Sequence, residues 1–359
     1  MLVNGRFWAG RRVLVTGHTG FKGAWLTFWL AELGAEISGL ALPPTGQPNL
    51  HDMLGIAALG RFVQADINDR AALDALLTEA RPEVVIHMAA QALVRPSYAA
   101  PVETFATNLL GTVSLLDAVR RCPEVRSVVV VTTDKVYENR EWPRAYRETD
   151  ALGGHDPYSA SKGCAEIATA SMRRSFFGPG KHPARIATVR AGNVIGGGDW
   201  SVDRLVPDIV RGCLSGNDRD ESGVVRLRNP GAVRPWQHVL EPLSAYLLLA
   251  ERLCTAPEGV EEAWNIGPDA AENRPVIEVA EAVVAALGRG RIELAPEAGA
   301  PHEAHLLALD CARARDVLGW RPRLDFTASV EATAAWYAAW ARGEDMRAVT
   351  RAQIARMAE

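Results

Sequence analysis

The first half of the chain alternates short apolar strands with helical stretches, and this alternation restricts the fold more than any other feature of the sequence. Strands are predicted at 12–16, 36–40, 61–65, 84–88, 127–132 and 185–190, with helices between them that include 21–34, 69–80 and 102–122. The four consecutive valines at 128–131 are typical of a parallel sheet covered by helices on both faces. The sequence therefore predicts an α/β fold with a doubly wound parallel sheet of the Rossmann type.

The pattern loosens after about Arg190, which predicts a second, smaller substrate-binding domain. Three consecutive glycines at 196–198 and a polar stretch at 215–223 lie there, and Pro or Gly recurs as far as Pro322. The strand-like residues 263–266 are expected to return to the first sheet. We therefore predict a dinucleotide-binding domain at 1–190 with a returning segment at about 235–267, interleaved with a substrate domain at 191–359.

A glycine-rich turn follows the first predicted strand. Gly17, Gly20 and Gly23 are spaced three residues apart, where they permit a tight turn, backbone approach to a pyrophosphate, and close packing of the next helix. This Gly-x-x-Gly-x-x-Gly spacing departs from the commoner Gly-x-Gly-x-x-Gly, so the turn alone is weak evidence for a dinucleotide site and an ordinary glycine-rich loop is the alternative.

Tyr158 and Lys162 stand four residues apart, which places a phenol and an ammonium on one face of a helix. A free tyrosine has a pKa of about 10, so a basic role near neutrality requires a fall of roughly 3 units, or about 4 kcal/mol. The Lys162 charge and an oxidised nicotinamide ring could both stabilise the phenolate. Together with the glycine turn, this pair indicates oxidoreductase chemistry.

The fifth predicted strand ends in Thr132, Thr133, Asp134 and Lys135. An elimination next to a carbonyl needs one group that protonates a departing hydroxyl and another that removes a proton, and Asp134 and Lys135 could divide these roles. The alternative is a solvated ion pair at the end of a strand.

Composition excludes several classes of function. With 48% hydrophobic residues, a net charge of -4 and dispersed basic residues, the chain of 359 residues gives no reason to expect nucleic-acid binding. Its five scattered cysteines lack a Cys-x-x-Cys spacing, which favours a reducing compartment and no metal site. Because no signal peptide and no apolar run of about 20 residues is recognised, we expect a cytoplasmic protein without membrane association.

The motifs together resemble the extended short-chain dehydrogenase/reductases, and within them the sugar-nucleotide 4,6-dehydratases that act on CDP-glucose. The resemblance covers about 12–340 and rests on the strings at 16–23, 87–91, 132–135, 138–142, 156–163, 190–200 and 234–239. Related dehydratases carry Thr-Asp-Glu where this chain has Thr133, Asp134 and Lys135, and lysine at that point resembles the CDP-glucose branch.

The resemblance implies a reaction in which the hydride taken from C4 of the sugar is given back to C6 of the same molecule. Tyr158 would remove the C4 hydroxyl proton while NAD takes the hydride, with Thr133 orienting the C4 oxygen. Lys135, or a water that it positions, would then take the C5 proton, and Asp134 would protonate the leaving C6 hydroxyl. Return of the hydride to C6 would give CDP-4-keto-6-deoxyglucose.

The resemblance also implies the binding residues. Those expected at NAD are Gly17, Thr19, Gly20, Phe21, Lys22, Gly23, Asp66, Ile67, Ala89, Ala90, Gln91, Asn108, Thr132, Tyr158 and Lys162, with Asn108 as structural support that holds a neighbouring strand. Those expected at the nucleotide sugar are Thr133, Asn193, Arg204, Arg234 and His302. His302, Glu303 and His305 have no second cluster to complete a metal site, so no metal is expected. The second predicted strand ends without the acidic residue of many NAD sites and without a nearby arginine, so NAD rather than NADP follows from the resemblance.

Two other functions fit the same motifs. One is a related epimerase or reductase that acts on another nucleotide sugar, and the other is a module that binds a dinucleotide without turnover. Spacing alone does not identify the nucleotide base. The family resemblance also implies a homodimer or tetramer that pairs through the helices at 102–122 and 157–177.

Overall fold

The apolar strands of the first half form one parallel sheet, as the sequence predicts. The computed structural model describes residues 3–214, 223–255, 259–295 and 306–357. Within them the strands are β1 (Arg12–Thr16), β2 (Glu36–Ala41), β3 (Gly60–Gln64), β4 (Val84–His87), β5 (Ser127–Val131), β6 (Arg185–Ala191), β7 (Asn193–Ile195), β8 (Val224–Leu227), β9 (Val233–His238), β10 (Ala263–Ile266), β11 (Asn273–Pro275) and β12 (Arg291–Leu294).

Helices cover both faces of this sheet and form most of the remaining structure. The α-helices are α1 (Gly5–Trp8), α2 (Phe21–Glu32), α3 (Leu50–Met53), α4 (Arg70–Ala80), α5 (Val94–Ala99), α6 (Pro101–Phe105), α7 (Gly111–Val119), α8 (Pro157–Phe176), α9 (Leu205–Leu214), α10 (Leu240–Thr255), α11 (Val276–Leu287), α12 (Phe326–Ala341) and α13 (Met346–Arg356). None of the helices within the described ranges is both long and apolar enough to cross a bilayer.

The central sheet has seven strands in the order β10-β6-β5-β4-β1-β2-β3, all parallel. The strand order reverses between β1 and β4, and ligands bind in such a fold outside the carboxyl ends of the strands at this reversal. The predicted return of β10 to this sheet is confirmed, since Ala263 pairs with Thr188 of β6.

The continuous apolar character of the strands reflects burial on both faces. Val13, Val15 and Val129 belong to the core cluster on one side of the sheet, whereas Leu14 and Val128 belong to the cluster on the other side. Because successive side chains of a strand point to opposite faces, a sheet covered by helices on both sides requires apolar residues at every position.

Two smaller sheets are built from residues that follow β6. β7, β9 and β11 form a three-stranded sheet, and β8 pairs with β12. α10, which lies between β9 and β11 in the sequence, returns to the seven-stranded sheet and packs against β5 and β6. The two halves of the sequence are therefore interleaved in space.

The prediction of one uninterrupted α-helix at 102–122 is wrong in detail. A π-helical turn at Ala106–Leu110 separates α6 from α7, and α7 ends at Val119. Pro123 explains the early end, because in a continuing helix its ring would clash with the carbonyl oxygen of Val119, four residues earlier. The wider π-turn carries Asn108, a residue buried among polar partners described below.

Candidate active site

One cavity of about 940 Å³ lies beyond the carboxyl ends of the parallel strands. Of the residues predicted from the sequence, it is lined by Gly17, Thr19, Gly20, Phe21, Lys22, Gly23, Asp66, Ile67, Ala89, Ala90, Gln91, Thr132, Thr133, Asp134, Lys135, Tyr158, Lys162, Asn193, Arg204 and Arg234. Asn108 lies behind the lining, and His302 falls outside the described residues. Residues from distant parts of the chain thus meet because parallel strands present all their carboxyl ends at one edge.

The glycine turn has the geometry of a cradle for a dinucleotide. Gly17 has a φ of +76°, and a Cβ atom there would lie 2.7 Å from the backbone nitrogen of Ala89. A Cβ atom on Gly23 would lie 2.0 Å from the carbonyl oxygen of Gly17. The N-cap of α2 is Gly20, which has no side chain to occupy the first amide groups of the helix. These amides and the helix dipole therefore suit a diphosphate, so the residues present fit the coenzyme.

Asn108 holds the loop that follows β4. Its Oδ1 accepts a hydrogen bond from the Gln91 backbone nitrogen at 2.9 Å, and its Nδ2 donates to the Gln91 carbonyl oxygen at 2.9 Å. The same Nδ2 donates to Ser161 Oγ at 2.9 Å. Asn108 therefore links the loop to α8 from outside the cavity lining, and its role as support for the site stays a prediction from the resemblance.

Tyr158 and Lys162 both lie on the buried side of α8. The helix begins at Pro157 after Asp156, whose carboxylate accepts a hydrogen bond from the Ser159 backbone nitrogen at 2.9 Å. Lys162 Nζ donates to the Val131 carbonyl oxygen at 3.0 Å. Burial, together with the charge of Lys22, lowers the pKa of Lys162 to about 7. The ammonium is therefore poised near its titration point.

The protein alone keeps the Tyr158 phenol neutral. Burial raises the pKa of Tyr158, while a hydrogen bond with Thr133 and the charge of Arg204 lower it. Stabilisation of a phenolate near neutrality therefore requires positive charge in addition to what these side chains provide.

Asp134 is buried, so its interpretation as part of a solvated ion pair is wrong. Its side chain is 2% exposed; Oδ1 accepts a hydrogen bond from Thr133 Oγ1 at 3.0 Å, and Oδ2 has no hydrogen-bond partner among the described residues. Burial raises the pKa of Asp134, although Lys135 and Arg234 oppose the shift. A short 3₁₀ turn at Asp134–Val136 directs the neighbouring Lys135 to the same cavity. Burial thus shifts the Asp134 carboxyl group toward its protonated form relative to an exposed aspartate, the direction that an acid catalyst requires.

Three of the predicted substrate residues come from elements that follow β6. Asn193 belongs to β7, Arg234 to β9, and Arg204 immediately precedes α9. Arg204 lies 3.6 Å from Asp199 and donates to the Ala92 carbonyl oxygen at 3.5 Å. Arg234 is buried, and its charge also acts on Asp134. The two guanidinium groups can therefore meet an anionic ligand in the space next to the catalytic segment.

Sequence reasoning missed one signal that points to this cavity. The chain has only four lysines (Lys22, Lys135, Lys162 and Lys181), and the first three line the cavity. Burial and the charge of Arg204 lower the pKa of Lys22 to about 8. A lysine can lose its proton when buried, whereas an arginine stays charged, so the rare lysines of this arginine-rich chain were a signal that sequence reasoning could have used.

Comparisons with known proteins identify a family, curated relatives and solved structures that this chain resembles. Residues 13–267 match the model of the NAD dependent epimerase/dehydratase family. The chain is 45% identical over 356 residues to the CDP-glucose 4,6-dehydratase of Salmonella typhimurium, covering 98% of each chain. A UDP-glucose-4-epimerase structure from Stenotrophomonas maltophila with bound NAD is 25% identical, with a TM-score of 0.78 over 93% of this chain and 99% of that one. The dTDP-glucose 4,6-dehydratase structure from Bacillus anthracis is 23% identical and shares the fold, with a TM-score of 0.74 over 92% and 97% of the chains.

Proposed function

This chain belongs to the NAD dependent epimerase/dehydratase family, and from that membership we propose that it is an NAD-dependent 4,6-dehydratase that converts CDP-glucose into CDP-4-keto-6-deoxyglucose and water. The observation that carries the proposal is the buried Asp134 beside Lys135, in the same cavity as Tyr158 and Lys162. An epimerase that acts only at C4 has no need of an acid for a C6 hydroxyl. The similarity to the Salmonella CDP-glucose 4,6-dehydratase supports the choice of substrate.

The first step is proton removal from the C4 hydroxyl of the sugar. The Tyr158 oxygen accepts this proton, and Thr133, which is hydrogen-bonded to the phenol, orients the C4 oxygen. Bound NAD would supply a hydride acceptor for C4, a hydride donor for C6 and the positive charge of its nicotinamide ring. Lys162, which is anchored on the Val131 carbonyl and lies one turn from Tyr158 on α8, would add positive charge on the same side of the helix.

The second step is loss of water across C5 and C6. The C4 carbonyl acidifies C5, so Lys135, or a water that it holds, takes the C5 proton while the carbon–oxygen bond at C6 breaks. Asp134 gives its proton to the departing hydroxyl, which leaves as water. A proton then returns to C5 as C6 is reduced, so no external reductant is consumed.

We assign the two parts of the chain to the two ligands. Residues 1–190, with the returning segment at about 235–267, would hold the coenzyme, and 191–359 would hold the nucleotide sugar. The glycine turn after β1 supports the first assignment. Asn193, Arg204 and Arg234 support the second, because guanidinium groups pair with the oxygens of a diphosphate.

The proposal is tested by offering purified protein and NAD separate samples of CDP-, dTDP-, GDP- and UDP-glucose. We expect loss of one water, detected by mass spectrometry, with CDP-glucose preferred. Isomerisation without a change in mass would instead identify an epimerase. Binding of NAD with no change in any of the four sugars would identify a non-catalytic module.

Replacing Lys135 by glutamate is expected to lower kcat on CDP-glucose by about 100-fold, because the C5 step loses the amine that takes the proton or positions the water that takes it. The matched control is Lys181→Glu, which makes the same change at an exposed lysine outside the cavity. Water loss per unit time is measured for both variants. If Lys135→Glu turns over at the parental rate, the amine has no specific role.

The quaternary structure that we propose is a homodimer, alone or within a tetramer, paired through α6–α7 and α8. These helices pack against each other, and they carry Val102, Leu110 and Ile167, whose exposed fractions are 74%, 56% and 60%. Apolar side chains that are exposed this far on neighbouring helices suit a four-helix contact with a second copy.

A double variant, Leu110→Arg with Ile167→Arg, is therefore expected to shift the protein to monomers, because four buried charges would face one another in the dimer. Light scattering coupled to size-exclusion chromatography measures the mass. Val317→Arg is the control, since Val317 is 58% exposed on a different part of the molecule. A parent that is monomeric, or a double variant that keeps the parental mass, contradicts the proposed interface.

A further inference from the structure

A buried ion pair joins α8 to β6 directly behind the cavity. Glu166 Oε2 lies 2.9 Å from Arg190 Nη2, and both side chains are 4% exposed. Neither residue lines the cavity. Burial of two charges is costly and does not by itself stabilise a fold. A pair placed here can affect the reaction only through the residues that it holds.

The Glu166 carboxylate holds the end of β5. Its Oε1 accepts a hydrogen bond from Thr132 Oγ1 at 2.6 Å, and its Oε2 accepts one from Thr188 Oγ1 at 2.7 Å. Thr132 immediately precedes Thr133. Val131, one residue earlier, provides the carbonyl oxygen that anchors Lys162. Glu166 lies one turn after Lys162 on α8. It therefore ties the end of β5, where the catalytic segment begins, to the helix that carries Lys162.

The Arg190 guanidinium holds the other end of the same segment. Nη1 donates to the hydroxyl oxygen of Tyr137 at 2.9 Å, and this hydroxyl donates to Asn265 Oδ1 at 2.6 Å. Tyr137 directly follows the turn at Asp134–Val136. The two members of one ion pair thus bond to residues on either side of Thr133, Asp134 and Lys135.

We propose that Glu166 and Arg190 are positioning residues, which clamp both ends of the 133–135 segment and fix it against α8, where Tyr158 and Lys162 lie. The inference rests on the proposed function, because it concerns the alignment of the acid and base groups assigned there. Rigid alignment of this kind is valuable, since a displacement of about 1 Å far from the reacting atoms can cost about 100-fold in rate.

The charge of Glu166 has a second effect, on Lys162. The groups that face this ammonium are Lys22 from α2, His87 from β4 and Glu166 from α8. Burial lowers the pKa of His87 to about 3, so that ring is neutral. Lys22 opposes protonation of Lys162, and Glu166 favours it. Removal of the Glu166 charge should therefore move the Lys162 titration to lower pH.

The test compares Glu166→Gln with Thr188→Val. An amide at 166 keeps the shape of the side chain but removes the charge, so the ion pair that joins the two ends of the clamp through Arg190 is lost. Thr188→Val removes one hydrogen bond to the same carboxylate without touching either end of the clamped segment. We expect Glu166→Gln to lower kcat by about 10-fold to 100-fold with KM little changed, and Thr188→Val to stay within roughly twofold of the parent.

A second readout is independent of turnover. With only four lysines in the chain, ¹³C-labelled lysine gives few NMR signals, and the Lys162 signal can be titrated in protein without coenzyme or sugar. Its midpoint should fall in Glu166→Gln and not in Thr188→Val. Parental protein that is inactive on CDP-glucose would overturn the proposed function, whereas the Lys162 titration would still test the role of Glu166.

Parental kcat and a parental Lys162 midpoint in Glu166→Gln would overturn the inference, and so would equal losses in Glu166→Gln and Thr188→Val. If Glu166→Gln does not fold, Tyr137→Phe tests the same clamp, because it frees the far end and leaves the ion pair intact. We expect Tyr137→Phe to lower kcat without moving the Lys162 midpoint. A parental kcat in Tyr137→Phe would then refute the clamp.

Discussion

Replacing Tyr158 by phenylalanine is expected to lower kcat on CDP-glucose by about 10²-fold to 10⁴-fold, the range found when a positioned general base is lost. The change removes one oxygen from a buried side chain and leaves the ring that packs beside the cavity. Binding of NAD should persist, because the glycine turn and the α2 N-terminus are untouched. Turnover is followed by water loss from the sugar, and NAD binding by calorimetry.

The control for this variant is Tyr98→Phe. This substitution removes the same hydroxyl oxygen, but Tyr98 is 43% exposed and lies outside the cavity lining. Its variant should retain parental turnover. A Tyr158→Phe protein that remained within threefold or so of the parent would remove the basis for the proposed proton transfer.

Asp134→Asn is expected to lower kcat by about 10²-fold or more and, at the same time, to stabilise the fold. The amide cannot protonate the C6 hydroxyl, so elimination slows. The free energy of unfolding should rise by about 1 kcal/mol at neutral pH, because burial makes ionisation of Asp134 costly and its Oδ2 has no partner among the described residues, whereas an amide cannot ionise. Activity and thermal unfolding of both proteins provide the measurement.

The stability gain should depend on pH in a defined direction. Burial raises the pKa of Asp134 in the folded protein, so the folded state holds this proton over a pH range where the unfolded chain has released it. This contribution to parental stability is present at low pH and is lost as pH rises through the raised pKa. The advantage of Asp134→Asn should therefore be larger near pH 8 than near pH 4.

Asp316→Asn is the control for both effects, since Asp316 is exposed and is not among the residues that line the cavity. It should change neither turnover nor the pH dependence of unfolding. Parental turnover in Asp134→Asn would refute the assigned acid, and a loss of stability at neutral pH would show that the carboxylate is satisfied in the folded protein.

The fold was largely predictable because its determinants are local. Strands buried on both faces must be apolar at every position, so β1, β4, β5 and β6 are visible in the sequence without knowledge of their neighbours. The π-turn at Ala106–Leu110 was not visible, since its wider winding serves the bonds that Asn108 makes to Gln91 and Ser161. These partners are 17 and 53 residues away in sequence.

The amino-acid sequence by itself determined which elements form, and it placed the chemically active side chains at the ends of predicted strands and at the start of α8. Only the tertiary structure decided the state of those side chains. The burial of Asp134, the lowered pKa of Lys162 and the clamp formed by Glu166 and Arg190 all depend on the loss of water around each group and on partners brought from other strands. Desolvation and such long-range contacts exist only once the sheet has assembled, so no local pattern can encode them.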